Sequence, residues 1–154
     1  MKARATVFTF VLCFVGVALG VAADGFMGTW KLNEAKSKLG PGAPKNSTVV
    51  YEAAGDSVKV TIDGTDSEGK PLHSEWTGKL DGNDYPVTGD PSVDMRSIKK
   101  VDDHTLTATQ KKDGKVTTTA RIVLSADGKT RTVAASGTDA KGKKISSTAV
   151  YDKQ

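Results

Sequence analysis

Residues 105–137 read TLTATQKKDGKVTTTARIVLSADGKTRTVAASG. Two Asp-Gly pairs, Asp113-Gly114 and Asp127-Gly128, interrupt three runs rich in Thr, Val, Ile and Leu. Asp-Gly suits the positive φ angles of tight hairpin turns, and β-branched residues suit a pleated surface. The passage therefore predicts three antiparallel strands, at 105–111, 115–124 and 130–137. Working outward, the same period-two alternation recurs in Val58/Val60/Ile62 and in Leu72/Ser74/Trp76/Gly78/Leu80. Further strands are predicted at 27–33, 47–53, 94–101 and 144–152. Turn residues separate them at Ala54-Gly55-Asp56, Ser67-Glu68-Gly69, Asp81-Gly82-Asn83-Asp84 and Lys141-Gly142. Helix has little support beyond a single turn at 34–39, which Gly40-Pro41-Gly42 would end.

Short connections make sequential strands antiparallel neighbours. A long meander exposes two edges unless it closes on itself. A two-sheet sandwich would need more long crossing connections than 34–46 and 82–93 supply. The expected fold is therefore all-β, a single antiparallel up-and-down β-barrel, of a size that can enclose one small ligand.

The amino end carries a different signal. Lys2 and Arg4 precede an uncharged stretch from Ala5 to Ala23, apolar at its centre and ending Val21-Ala22-Ala23. Those are the three parts of a secretory signal peptide. The stretch is also long enough for an uncleaved anchor, but its small-residue end favours cleavage before Asp24. Leu12 ahead of Cys13 disfavours a lipid-anchored form. The expected organisation is a signal peptide at 1–23 and one barrel domain at 24–154, exported to the periplasm or secreted. The single cysteine, Cys13, lies in the signal. The remaining 131 residues would hold no thiol, no disulfide and no cysteine-based metal site.

The whole chain has 22 basic and 18 acidic side chains, a net charge of +4. Without Lys2 and Arg4 the balance is 20 against 18, mixed along the chain. That is too even for a nucleic-acid footprint. The barrel domain contains no expected membrane span and is expected to be monomeric.

Phe26-Met27-Gly28-Thr29-Trp30-Lys31-Leu32 resembles the opening strand of the calycin superfamily. Lipocalins begin with Gly-x-Trp, and intracellular fatty-acid-binding proteins begin with a similar Phe-x-Gly-Thr-Trp-Lys-Leu. Val150-Tyr151-Asp152-Lys153 resembles the closing strand of the latter group. The whole chain is also similar to secreted, lipocalin-like bacterial proteins. The resemblance implies a barrel with Gly28 and Trp30 as its structural plug. The Arg-x-Tyr carboxylate anchor of fatty-acid-binding proteins reads Ala149-Val150-Tyr151 here, leaving Tyr151 alone. Their two-helix lid also has no counterpart in the broken segment 34–46, so fatty-acid specificity does not carry over.

Tyr51 and Trp76 share faces with apolar residues and are candidate cavity-wall aromatics. Arg96, Arg121 and Arg131 each precede an apolar residue two positions on, so they are candidates for an internal anion site. The alternative is outward arginines laying their stems over apolar surface. On 115–124 the greasier face is Val116, Ala120, Ile122 and Leu124, which would turn Arg121 outward.

His73 and His104 lack a partner at metal-ligand spacing, and no nucleophile turn, phosphate loop or dinucleotide fingerprint occurs. The acidic stretch from Asp81 fails an EF-hand spacing at Tyr85. Asn46-Ser47-Thr48 is a sequon only in a eukaryotic secretory pathway. No catalytic residues, metal or cofactor are expected. The expected function is binding or carriage of a small apolar or amphipathic molecule. The rival is a non-catalytic surface-binding envelope module with a filled core.

Overall fold

The computed structural model describes residues 23–139 and 141–154, so the predicted signal peptide lies outside the described residues except for Ala23. Ten strands form one closed, antiparallel barrel: β1 (Gly28–Leu32), β2 (Lys45–Ala54), β3 (Ser57–Thr65), β4 (Pro71–Gly78), β5 (Tyr85–Thr88), β6 (Met95–Asp102), β7 (Thr105–Lys112), β8 (Lys115–Leu124), β9 (Thr130–Thr138) and β10 (Lys144–Lys153). Each pairs with its sequence neighbours, and β1 closes the ring against β10 through Trp30–Lys153 and Leu32–Tyr151. Closure leaves no free sheet edge. Among the described residues no helix is long and apolar enough to cross a membrane.

Nine strands stand where alternation predicts them. The tenth, β5, falls inside the segment read as a loop. It holds four residues, including Pro86, and only Val87 among them is buried. Four residues with a proline offer too little alternation to register as a strand. The turn expected at 34–39 is a single 3-10 turn, Glu34–Lys36, capped by the Asn33 side chain accepting from the Lys36 N–H at 3.2 Å. The chain there runs beside β10: the Asn33 N–H donates to the Val150 carbonyl, and Lys38 exchanges backbone bonds with Thr148. It thereby continues the short β1 along its longer partner. At Gly40 a Cβ would stand 2.4 Å from the Ser146 carbonyl oxygen, so only glycine permits this approach.

The expected inward face of β8 needs one correction. Val116 is 55% exposed rather than grouped with Ala120, Ile122 and Leu124. The β7–β8 register shifts between Gln110 and Lys111, so Gln110 faces Thr118 while Lys111 faces Val116. This bulge reverses the parity of the strand's first residues.

The core is concentrated at one end. Phe26 and Trp30 are fully buried there with Val58 and Leu106. The 3-10 turn Asp24–Phe26 folds beneath the barrel, and the Trp30 indole N–H donates to the Phe26 carbonyl at 2.8 Å. Gly28, at φ 109°, makes the sharp entry from this turn into β1. The β1–β2, β3–β4, β5–β6 and β9–β10 connections surround the opposite end.

Candidate functional site

The inward positions of four adjacent strands are small at one level. Ala108 on β7 faces Ala120 on β8, which faces Ala135 on β9, which faces Ser147 on β10. Opposite them stand the larger Val49, Val60, Ile62 and Leu72. The small-residue belt cannot reach across the barrel, so a cavity of about 520 Å³ remains. The filled core of the surface-module alternative is therefore not what this barrel contains. Gly42, Pro44, Ser67, Pro91 and Asp139 border its mouth. A more open hollow beside it, over β8, β9 and β10, shares Thr117, Thr118, Gly137 and Ile145.

Below the belt the wall becomes cationic and aromatic. Arg131 on β9 faces Tyr151 on β10, and both side chains point inward at 2% and 4% exposure. The Arg131 guanidinium carbon lies 5.0 Å from the Trp30 ring centre, 5.0 Å from that of Tyr51 and 4.7 Å from that of Tyr151. Three π faces each stabilise a cation by roughly 0.5–2 kcal/mol. They do not accept its directed hydrogen bonds, and Arg131 Nε and Nη1 are buried without a partner. Burial pushes the Tyr151 hydroxyl pKa up to about 12, against the lowering effect of the Arg131 charge.

Arg96 on β6 also lines the cavity, at 4% exposure. Burial holds its pKa below the ordinary arginine value, while Tyr51 and Asp90 act in the opposite direction. Seven lysine–carboxylate ion pairs and two contacts of His73 with carboxylates occur among the described residues, and none involves an arginine. The interior thus carries two buried cations without a carboxylate partner.

Tyr51, Arg96, Arg131 and Tyr151 lie on the cavity wall. Two other candidates do not. Arg121 is exposed because its β8 parity opposes that of Ala120 and Ile122, so its place in the ligand-binding set is corrected. Trp76, 1% exposed, is core rather than cavity wall. Its indole N–H donates to the Arg96 carbonyl at 2.8 Å, and its ring meets Tyr85 edge-on at 6.0 Å. Gly28 and Trp30 occupy the closed end.

The histidines stand away from the cavity: His73 Nδ1 is 2.6 Å from Asp63 Oδ1 on the outer face, and His104 is exposed. Asp81 is occupied by Asn83 and by the Tyr85 hydroxyl at 3.0 Å. No metal-holding group of three His, Cys, Asp or Glu occurs among the described residues.

Sequence reasoning passed over Ala108, Ala135 and Ser147 as wall residues. Symmetric counting about Asp127-Gly128 does pair Ala120 with Ala135, but counting back from Asp113-Gly114 would set Ala108 opposite Thr119, and only the β7–β8 bulge brings it level with Ala120.

No protein-family model matches the chain, and no curated protein matches it. Among solved structures, three β-barrels are similar to this chain. A redesigned β-barrel, mFAP1, bound to DFHBI, is 16% identical with a TM-score of 0.46, covering 87% of this chain and 100% of that one. EF1p2_mFAP2b bound to DFHBI is 14% identical with a TM-score of 0.49, covering 87% and 98%. A fluorescence-activating β-barrel designed de novo is 12% identical with a TM-score of 0.43, covering 88% and 100%.

Proposed function

We propose that the protein is an exported, non-catalytic binder or carrier of a small apolar or amphipathic molecule held inside the barrel. The observation that carries this reading is the cavity of about 520 Å³, apolar on one side and open at one end. Ligand pockets commonly span roughly 300–1,000 Å³ and combine apolar walls with a few placed polar groups. Burial of an apolar ligand surface would supply affinity at roughly 25 cal/mol per Å², less the cost of immobilising the ligand. The calycin-like opening and closing strands fit the same reading. Export rests on the cationic start, apolar centre and small-residue end of residues 1–23.

Native mass spectrometry of the purified exported protein tests both parts. The expected result is a chain beginning at Asp24 with a small molecule attached, released when the protein is unfolded. A bare mass that stays bare after incubation with lipid and metabolite extracts would overturn the binding role. An intact amino end on exported protein would overturn the predicted cleavage.

A further inference from the structure

We propose that the cavity selects an anionic amphiphile, with an oxyanion head group seated between Arg96 and Arg131 and an apolar body lying along the small-residue belt. This deepens the ligand-binding reading and rests on it. Arg131 enters from β9 and Arg96 from β6, so the cations come from separate strands and line one cavity. Both are more than nine-tenths buried. Arg131 Nε and Nη1 have no hydrogen-bond partner, although three aromatic rings surround the same guanidinium. The rings hold the cation in place and leave its directed donors unused. An oxyanion would accept these donors and neutralise the charge.

Acidic side chains at the mouth do not take that role. Asp90 Oδ1 is occupied by the Ser92 backbone N–H at 2.9 Å and the Ser92 hydroxyl at 2.6 Å. Asp139 accepts from the Lys141 and Lys143 backbone N–H groups, both at 2.9 Å. Neither forms an ion pair with an arginine. Arg131 sets the direction of the ligand: it lies two inward positions below Ala135 on β9, so a head group on it is deep and the apolar body extends past Ala135 toward the mouth. A cationic amphiphile of the same length would place like charge against the two guanidiniums.

The probes are decanoate, decanol and decyltrimethylammonium, titrated calorimetrically into the delipidated protein below their micelle concentrations. Decanoate is expected to bind at least about tenfold more tightly than decanol, which corresponds to roughly 1.4 kcal/mol. Decyltrimethylammonium is expected to bind more weakly than either. In Arg96→Met the preference for decanoate over decanol should shrink several-fold while decanol affinity persists. Arg131→Met should behave likewise if it folds. If it does not, Arg96→Met and the head-group comparison on the unaltered chain decide the matter.

Equal binding of decanoate and decanol would overturn the anion inference and leave the cavity reading intact. An undiminished decanoate preference in folded Arg96→Met would overturn the assigned head-group site. Failure of all three probes to bind would overturn both readings for ligands of this size.

Discussion

Tyr151 joins the barrel's closure to its interior chemistry. Its backbone pairs with Leu32 across the seam, while its ring lies against the Arg131 guanidinium. The ordinary phenol pKa is about 10, and burial moves this hydroxyl to about 12. Between those values the unfolded chain releases the proton and the native chain keeps it. The unfolded state then binds fewer protons, so stability falls as pH rises. The contribution is fully present below about pH 10, and its loss reaches on the order of 2–3 kcal/mol near pH 12. Tyr151→Phe should therefore show a shallower fall in its urea midpoint between pH 10 and 12 than the unaltered protein. Parallel curves would show that Tyr151 does not carry the shift. At this scale the sequence was only partly legible. Arg121-Ile122-Val123 and Arg131-Thr132-Val133 share one local pattern, yet Arg121 is exposed and Arg131 buried. Strand parity decides their direction, and parity depends on partners that no local pattern names.

Among the elements, β5 is the weakest part of the ring. It makes two register pairs with β4 and two with β6. Trp76 reinforces that gap, because its indole N–H crosses from β4 to the Arg96 carbonyl on β6. The bond also fixes the backbone from which Arg96 enters the cavity. Trp76→Phe keeps an aromatic core side chain but leaves a buried carbonyl without this donor. A loss of about 1–3 kcal/mol is expected from the unsatisfied acceptor, measured by urea unfolding. Hydrogen exchange should accelerate first in β5 and at the start of β6. A loss spread evenly over all ten strands would contradict this local role. The other strands were readable because their alternation runs for several residues between turn signals. The missed β5 and the reversed Val116 share a cause: short pairings and bulges are set by neighbouring strands.

For the whole molecule, barrel and cavity have different sequence origins. Closure follows from repeated alternation and short turns, whereas the cavity follows from Ala108, Ala120, Ala135 and Ser147 meeting at one level. A larger side chain in that belt should therefore remove the cavity without opening the ring. Ala120 is the suitable position, since it lies in the belt and lines the cavity. In Ala120→Trp the indole would enter existing space rather than a packed core, so the usual overpacking penalty of about 1–3 kcal/mol is avoided. New apolar contact offsets the ordering of the larger side chain, and stability should remain within about 1 kcal/mol of the unaltered protein or rise. Ligand capacity should fall sharply at the same time. The measurement pairs thermal unfolding without ligand with the rise in Tm on adding saturating decanoate. In the unaltered protein, ligand at 100 times its Kd should stabilise the fold by about 2.7 kcal/mol. In Ala120→Trp most of that rise should disappear while the ligand-free transition remains cooperative. A folded Ala120→Trp with the full rise would place the ligand outside the barrel and refute the belt as the origin of its binding space.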